Sequence, residues 1–395
     1  MPALTDDGVG RRIAYYRSVI RPKMTQQQLA DAACVALGTV RKIERGERGV
    51  TDATLEAIAD ALGVDPARLR SDRGAAHTRV RAALPALSAA IATYDLPDDG
   101  PVRPLRDLRT EVAEAARWRL AAQYTRIVRS LPGLLVELAR AFHDAPAEDR
   151  AESAGLLVKA YRSADAVAYK FGAQDLSARL VDLMRWAAPE AGDPTLAASV
   201  AYVRTETFFA ARAHAAGLRA LEQALDAAPA PVGASAIAAR GALHMRAAVI
   251  AGRAHDSAAA TSHLDDAREM ADQVPEGVYC GTAFGPDSVR THEVSVAVSL
   301  GDVHVGRALD IAREWKPPEG MPAERRSGFY IELARAQLWT GLPDDAFASL
   351  KVARHIAPQH TREHPWVRED AAKLRRLKRA DAETLTHFAE WCAAT

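Results

Sequence analysis

The stretch MTQQQLADAACVALGTVRKIERG, residues 24–46, decides the fold of the first part of the chain. Apolar residues recur in it at helical spacing, which predicts two short helices joined by a tight turn. Thr25 supplies a hydroxyl that caps the first helix, and Gly46 ends the second by adopting a left-handed conformation. The inner faces of the two helices are formed by Leu29, Ala33, Val40 and Ile43. The stretch is therefore expected to belong to a small helical bundle.

The second of these helices carries positive charge on the side that faces away from the bundle. Arg41, Lys42 and Arg45 lie on it, and Arg48 follows just beyond its end. A short helix with an apolar inner face and a cationic outer face fits the major groove of DNA. We therefore predict that this helix reads double-stranded DNA. The alternative is a degenerate bundle that serves only protein contacts.

The same residues resemble the helix-turn-helix of lambda-repressor/Cro-like (Xre-type) regulators. That pattern runs Thr-Gln-x-x-Leu-Ala, a turn, and Thr-Val/Ile-x-x-Ile-Glu-x-Gly, and the resemblance extends over about residues 9–70. The matching positions are Thr25, Gln26, Leu29, Ala30, Thr39, Val40, Ile43, Glu44 and Gly46. The resemblance implies a bundle that binds operator DNA, with an ion pair between Arg17 and Glu44 inside the domain. A short fifth helix is expected to begin at Asp65.

The predicted DNA-binding residues combine the second helix of this motif with the start of the first. They are Thr25, Gln26, Gln27, Leu37, Gly38, Thr39, Arg41, Lys42, Arg45 and Arg48. The chain departs from the family pattern at Cys34, where the turn normally holds glycine, and at Leu37 and Gly38, where the family's main base-contacting residues lie. Neither Leu37 nor Gly38 can make a bidentate hydrogen bond to a base. Polar readout is therefore left to Gln26 and the cationic residues.

The composition is that of a globular chain with more than one domain. At 395 residues the chain is long enough for two or three domains, and Lys plus Arg equals Asp plus Glu at 51 each. Overall neutrality is compatible with DNA binding, because a DNA-binding head needs only a local positive face. The three cysteines are widely spaced and give neither a disulfide framework nor a zinc pattern. No run approaches the ~20 apolar residues that span a bilayer, so we expect a soluble cytoplasmic protein.

A connector separates the predicted head from the rest of the chain. It contains Pro97, Pro101 and Pro104, which exclude regular helix from that segment. The sequence leaves open whether the helical part of the connector packs on the head or bridges to a second subunit. The predicted divisions are a DNA-binding head at 1–70, a connector at 71–104, and a sensor and dimerisation domain at 105–395.

The pattern after the connector is helical, with almost no strand signal. Apolar residues recur every three or four positions along segments such as 105–143, and breaks fall at Asp, Pro and Gly. Similar short helices start near residues 217, 256, 302 and 343, about 40 residues apart, as in helical-repeat solenoids. These segments resemble tetratricopeptide repeats, and with the head they resemble an actinobacterial group of Xre-type regulators. We therefore predict an all-α protein, with a lambda-repressor-like helix-turn-helix bundle followed by a tetratricopeptide-like solenoid.

A solenoid of this kind offers a concave inner surface, which the first helix of each pair lines. Aromatic and arginine side chains on that surface fit a small anionic molecule, or a peptide backbone with its C-terminus. The alternative is that Phe208 and Tyr330 pack between helices and that the arginines are solvated or ion-paired. The predicted ligand-binding residues are Tyr202, Arg204, Phe208, His244, Tyr279, Phe284, Asp287, Arg290, Glu293 and Tyr330.

The sequence contains no enzyme signature. A glycine-rich phosphate loop, Gly-x-Ser-x-Gly and His-Glu-x-x-His are all missing. His360 and His364 are four residues apart and close to His355, but Pro358 and Pro365 interrupt the helix that would bring them together. We therefore expect no catalytic residue, no metal site and no cofactor.

These features together predict a sequence-specific DNA-binding transcriptional regulator. Its partners would be operator DNA and a small-molecule or short-peptide effector, and no membrane. One head offers few base contacts, so a homodimer on a pseudo-palindromic site is expected. The alternative is an interaction scaffold whose solenoid binds a protein partner and whose head tethers it to DNA.

Overall fold

The structure of the chain is a computed structural model that describes residues 7–19, 23–64, 69, 75–377, 382–392 and 394. The chain divides into two units, Met1–Thr78 and Arg79–Thr395, and the division falls within a helix. The predicted domain borders at residues 70 and 104 stay predictions. The helix expected to begin at Asp65 starts outside the described residues.

The helices of the first unit pack around an apolar core. Buried in that core are Ile13, Leu29, Val40, Ile43 and Ile58. They recur at helical spacing, so each helix buries one face and exposes the other. In chain order the helices α1 to α4 are Asp7–Val19, Gln26–Ala32, Leu37–Glu44 and Asp52–Ala61.

A capping box starts α2. Thr25 Oγ1 accepts a hydrogen bond from the Gln28 N–H at 3.1 Å, and Gln28 Oε1 accepts one from the Thr25 N–H at 2.7 Å. These reciprocal bonds satisfy backbone donors that have no partner within the helix. The cap predicted at Thr25 is confirmed.

Glu44, at the end of α3, joins three helices of the first unit. Arg17 Nε on α1 donates to Glu44 Oε1 at 2.7 Å, and Arg17 Nη2 donates to Glu44 Oε2 at 3.0 Å. Gln26 Nε2 on α2 donates to Glu44 Oε2 at 2.6 Å. Only 6% of the Glu44 side chain is exposed, so these bonds are poorly screened by solvent. The ion pair between Arg17 and Glu44 is confirmed. Together with the bond from Gln26, it holds the C-terminal end of α3 against α1 and α2.

The turn between α2 and α3 has a left-handed residue that is not glycine. Cys34 is exposed and has φ 53°, and the next N–H, that of Val35, donates to Ala30 O at 2.9 Å. A bond that reaches back five residues past a left-handed residue is the Schellman motif. Cys34 therefore takes the conformation that glycine adopts at least cost.

A succession of helices forms the chain from residue 75 onward. Many of them begin at or just after proline, whose fixed φ suits the first helical turn. Their bounds, α5 to α20 in chain order, are Ala75–Ala90, Leu105–Leu120, Tyr124–His143, Ala147–Lys170, Gln174–Ala187, Pro194–Ala210, His214–Ala227, Ala234–Arg253, Ser257–Ala271, Pro286–Leu300, Val305–Glu314, Ala323–Trp339, Pro343–Ile356, Pro358–Glu363, Pro365–Leu377 and Ala382–Trp391. Short 3-10 helices add Ala188–Ala191 and Asp302–His304.

One turn geometry recurs between the paired helices of the second unit. A left-handed residue ends the first helix, and the next N–H bonds to the carbonyl five residues back at 2.8–3.0 Å. Such a turn reverses the chain within three residues, so each pair forms a helical hairpin. The left-handed residues are Ala122, Gly172, Arg212, His255 and Gly341.

Two features of the second unit differ from the sequence prediction. The helical segment predicted at 105–143 is broken at Ala122 (φ 55°), so it forms α6 and α7. The strands β1 (Gly277–Tyr279) and β2 (Thr282–Phe284) form an antiparallel hairpin before α14. Each strand has only three residues, too few to show the alternation that marks a strand in a sequence.

The helical part of the predicted connector packs on the second unit. Val80, Leu87 and Ile91 are buried in the same apolar core as α6 and α7. Beyond them, Arg103 Nη2 donates to Glu137 Oε2 of α7 at 2.6 Å. Residues 80–103 thus contact the second unit, and whether this helix also packs on the head or bridges to a second subunit stays a prediction.

The all-α prediction is confirmed. Helices account for nearly all the regular structure among the described residues, and the small hairpin is the exception. None of the helices in this part of the chain combines the length and the apolar character needed to cross a bilayer.

Gly10 provides a test of how α3 is held in the first unit. A Cβ at Gly10 would lie 1.9 Å from the Ile43 carbonyl oxygen and 2.8 Å from its carbon, so α1 and α3 could not keep their present distance. We expect Gly10→Ala to destabilise the first unit by about 2 kcal/mol or more, as overpacking against backbone does. Hydrogen exchange of the α3 amides in the full chain measures this loss.

Gly49→Ala is the matched control, because nothing lies within 4 Å of a Cβ there. Its α3 amides should exchange at the parental rate. Equal protection of α3 in the parent and in Gly10→Ala would contradict the close packing of α1 on α3.

Candidate functional site

The cationic side chains of α3 and of the turn that follows it point away from the core of the first unit, unlike that of Glu44. Arg41, Lys42, Arg45 and Arg48 are all exposed. Arg45 forms an ion pair with Glu47 at 3.1 Å, but the two side chains are 61% and 49% exposed, so solvent screens it. Among the described residues, the other three cations have no ion-pair partner. This face of α3 is therefore positive and accessible.

The start of α3 leaves open space. Leu37 is half-buried and packs against the core, and Thr39 is half-buried as well. Gly38 is exposed, and no atom lies within 4 Å of the place where its Cβ would be. A partner could therefore approach the backbone closely at Gly38.

The predicted contact residues at the start of α2 are engaged within the unit. Thr25 caps the helix, and the Gln26 amide donates to Glu44. Gln27 Nε2 donates to Asp31 Oδ1 at 2.7 Å on the exposed surface. An external contact would have to share or replace these bonds.

The second unit contains a cavity of about 440 Å³, within the range of small-molecule sites. Its walls come from α6, α8, α10, α12, α14 and α16, with further residues from the tip of the β-hairpin and from α18 and α19. Polar side chains make up much of the lining: Arg119, Arg162, Asp165, Lys170, Tyr202, Glu206, Arg246, Arg253, His292, Glu324, Arg325, Glu332, His360 and His364.

Arginines in the cavity wall lack a counter-ion. In the part of the chain that the structure describes, Arg119, Arg162, Arg253 and Arg325 have no carboxylate oxygen within 4.0 Å. Arg119 Nη2 donates to Gly281 O at 2.7 Å, and Arg325 Nη2 donates to the Tyr202 hydroxyl at 2.6 Å. These hydrogen-bond partners are neutral, so neither guanidinium has a counter-ion in contact, although Tyr202, Glu324 and Glu276 raise the pKa of Arg325 in spite of burial.

The tip of the β-hairpin closes over Arg162. Its Nη1 donates to Cys280 O at 2.6 Å, and its Nη2 donates to Thr282 Oγ1 at 2.6 Å. Burial, and then the neighbouring Arg119, lower the pKa of Arg162 to about 9, so it is still a cation at neutral pH. The hairpin thus positions this guanidinium without neutralising it.

Some of the carboxyl groups in the cavity are poor counter-ions. Burial and the neighbouring Glu206 carboxylate raise the pKa of Asp165 well above its usual value, and burial raises the pKa of Glu332. Glu324 behaves differently: it pairs with Lys170 at 3.0 Å, and its pKa is lowered, chiefly by Lys170, in spite of burial. The Glu324 carboxylate is therefore already engaged.

Aromatic rings complete the wall. Arg253 lies between the rings of Phe209 and Trp366, with its guanidinium carbon 4.9 Å and 5.1 Å from the two centroids. Arg246 lies 4.4 Å from the centroid of Tyr202. Such stacking holds a guanidinium in place by its faces and leaves its N–H edge available.

The structure brings Tyr202 alone of the predicted ligand residues into this cavity; all of them lie in the described part of the chain. Phe284 is fully buried against Gly241, and Tyr279 donates its hydroxyl proton to Pro275 O. Arg204 stacks on Phe208, outside the cavity lining.

The remaining predicted ligand residues also have partners or positions elsewhere. Glu293 pairs with Arg268 at 2.7 Å, and Asp287 accepts a hydrogen bond from Trp315 Nε1 at 3.1 Å. Arg290 is exposed, Tyr330 packs with the apolar cluster around Phe329, and His244 belongs to a histidine pair. Their involvement in ligand binding stays a prediction.

The sequence did carry a signal for the residues it missed. Arg162, Asp165 and Tyr169 are spaced three and four apart and so share one face of α8, and Arg246 and Arg253 are seven apart on α12. Charged residues at such spacing within apolar helices indicate a polar inner surface. The same spacing also occurs on solvent-exposed helix faces, so the spacing alone does not show that these residues line a cavity.

A histidine cluster has spacing that a metal ion could use. Nδ1 of His244 lies 3.1 Å from Nδ1 of His263 and 3.3 Å from Oδ2 of Asp266. A proton shared between the two Nδ1 atoms accounts for the first distance without an ion. His360, named in the sequence analysis, has protein partners on both ring nitrogens, Ser327 and Lys170.

Comparisons with known proteins place part of the chain in a family. The family model described as Helix-turn-helix matches residues 20–69. No curated protein matches the chain. Among solved structures, the chain is similar to Bacillus thuringiensis PlcR in complex with the peptide PapR7 and DNA, at 13% identity and a TM-score of 0.24, over 68% of this chain and 95% of that one. A TM-score this low supports no inference about fold or function.

The family match coincides with the motif quoted at the outset and with the described helices α2 to α4. The first unit thus carries an Xre-like helix-turn-helix domain, the domain of DNA-binding transcription regulators.

Proposed function

We propose that the chain is a cytoplasmic, sequence-specific transcriptional regulator that reads operator DNA with α3. The observation that carries the proposal is the exposed positive surface formed by Arg41 and Lys42 of α3 and by Arg48 just after it, which have no ion-pair partner within the described ranges. DNA phosphates attract such a surface, and the accessible backbone at Gly38 allows the helix to approach the bases at the floor of a groove closely. In this proposal residues 1–70 are the head, 71–104 the connector, and 105–395 the sensor and dimerisation domain.

We further propose that the protein binds DNA as a homodimer. A helix of eight residues reaches only a few base pairs, and Leu37 and Gly38 offer no bidentate hydrogen bond. A pair of heads on a pseudo-palindromic site doubles the contacts and supplies the specificity that one head lacks.

The cavity of the second unit is the proposed effector site. Its volume of about 440 Å³ fits a small molecule better than a protein partner, which favours a sensor over the scaffold alternative. Arg119 of α6 lines the cavity, while Leu108 and Val112 of the same helix share an apolar core with Leu87 of α5. A ligand that displaces α6 would therefore also displace the connector helix, and its differential affinity for the two arrangements would change operator affinity.

The cations of α3 are expected to separate into base-reading and phosphate-binding residues. Arg41→Ala or Lys42→Ala should weaken binding to the preferred duplex by about 10-fold or more, since a base contact is worth roughly 1–3 kcal/mol. Arg45→Ala should chiefly flatten the salt dependence, reducing the log–log slope by about one. The full chain is first used to select its preferred duplex from a random pool, and each variant is then measured on it at several salt concentrations.

Lys23→Ala provides a control, because Lys23 is exposed but lies before α2. It should bind the selected duplex nearly as the parent does. Equal affinity and equal salt slope for the parent and all three α3 variants would exclude α3 as the reading helix.

The homodimer proposal predicts the form of the selected site. The enriched duplexes should contain two inverted half-sites about one helical turn apart, or a multiple of it. Sedimentation of the complex should give two chains per duplex. A single unrepeated half-site bound by one chain would contradict the dimer and leave the reading helix unaffected.

A further inference from the structure

The charges that line the cavity do not balance. The lining contains eight arginine and lysine side chains, which include the exposed Arg81 and the half-buried Arg368, and five aspartate and glutamate side chains, which include Glu363. Asp165 and Glu332 have raised pKa values, which reduces the negative charge further. Lys170, Arg246 and Arg368 have carboxylate partners, which leaves Arg119, Arg162, Arg253 and Arg325 as the lining cations of interest, with no carboxylate oxygen within 4.0 Å among the described residues.

Such an arrangement is costly unless something compensates for it. Removing a guanidinium wholly or partly from water without pairing it is unfavourable even after the structure relaxes. Nε of Arg119, Arg246 and Arg253 is buried without a hydrogen-bond partner within the described residues, as are the acceptors Glu206 Oε2 and Glu332 Oε2. Buried donors in folded proteins are nearly always satisfied, by protein or by a bound species.

We propose that the cavity binds a small organic polyanion, with oxyanion groups held by Arg119, Arg162 and Arg325 and by the stacked Arg253. Guanidinium groups pair with planar carboxylates and with phosphates through parallel N–H···O bonds, and both are forms of the same oxyanion chemistry. The aromatic wall of Tyr202, Phe209 and Trp366 leaves room for an apolar or flat part of the ligand. This inference rests on the proposed function and specifies the class of effector.

Arg253 and Arg335 form a natural comparison, because both stack on Trp366. Their guanidinium carbons lie 5.1 Å and 4.4 Å from its centroid. Arg335 is also paired with the buried Asp370, at 3.1 Å, whereas Arg253 has no such partner among the described residues. Arg335 therefore stabilises the fold, and Arg253 is available to bind a ligand.

Substitutions at these positions should therefore have opposite effects on the free protein. Arg335→Met leaves the buried Asp370 carboxylate without its ion-pair partner, so it should lower the Tm of the second unit by several degrees. Arg253→Met removes an uncompensated charge while keeping apolar contact with the rings, so the Tm should be unchanged or higher. Thermal unfolding of the full chain gives both values. An equal loss in the two variants would show that Arg253 has a structural role and would overturn its assignment to the ligand.

Tyr202 reports the positive potential of the cavity directly. Although burial raises it, the pKa of Tyr202 is lowered to about 8 by Arg246 and Arg325. Ultraviolet titration should show a phenol that ionises near pH 8 and is missing in Tyr202→Phe. Because this value lies below the ordinary one of about 10, ionised Tyr202 stabilises the fold at high pH, and the contribution is lost as the pH falls through the lower value. Coincident titrations of parent and variant would show that the potential is not positive.

Binding of the polyanion is measured in the full chain carrying Arg41→Ala and Lys42→Ala, so that the head does not contribute an anion site of its own. Citrate and inorganic pyrophosphate are the probes, and sodium chloride at matched ionic strength is the reference. At least one probe should raise the Tm of the second unit by mass action and move the Tyr202 ionisation to higher pH. The stronger probe distinguishes a carboxylate ligand from a phosphate ligand.

The response should depend on the cavity arginines. Arg253→Met and Arg325→Met should each weaken the apparent affinity for the probe at least ~10-fold, as loss of a charged hydrogen bond does. Arg313→Met, whose side chain is exposed and lies outside the cavity lining, should respond as the parent. No Tm response to either probe, or an undiminished response in Arg253→Met, would overturn the inference.

These outcomes are independent of the duplex measurements. A cavity that binds polyanions through Arg253 while α3 variants bind DNA like the parent would contradict the proposed reading helix alone. Loss of DNA binding in the α3 variants with no polyanion response would contradict the effector class alone.

Discussion

A single backbone hydrogen bond recurs through the chain and sets the arrangement of its helices. It runs from an N–H to the carbonyl five residues back, past a left-handed residue. In the first unit it joins Val35 to Ala30 and so fixes the angle between α2 and α3. In the described part of the second unit the same kind of bond occurs five times, and each time it reverses the chain after the first helix of a pair. The donors are the N–H groups of Gln123, Ala173, Ala213, Asp256 and Leu342. The first helices then lie side by side, and their polar faces converge on one cavity.

How well the sequence predicted each turn depended on the residue that occupies the left-handed position. Gly172 and Gly341 are recognisable breaks, because glycine adopts positive φ at little cost. Ala122 carries no such signal, and the helix expected over 105–143 was therefore continuous in the prediction and is broken in the structure. The helix-turn-helix was predicted well even with Cys34 in its turn, since its caps, apolar spacing and charged pair Arg17–Glu44 all lie within short reach along the sequence.

The cavity was harder to predict, because the choice of helix face matters as much as the choice of helix. A step of one residue turns a side chain by about 100° around the helix axis. On α10 the sequence analysis selected Tyr202, Arg204 and Phe208, whereas the cavity is lined by Tyr202, Glu206 and Phe209. The periodicity of an apolar helix does not show which of its faces meets solvent and which meets a cavity, and only the packing of neighbouring pairs decides that.

In both proposals arginine binds oxyanions, but in surroundings that give the charge different consequences. The cations of α3 are exposed, so salt screens their attraction for phosphates and makes DNA affinity sensitive to ionic strength. The cavity arginines are buried or half-buried, so solvent screens them less and an unpaired charge is more costly. An exposed charge therefore gives fast, adjustable association, and an enclosed one gives discrimination, because a neutral ligand would leave the cavity charges unpaired.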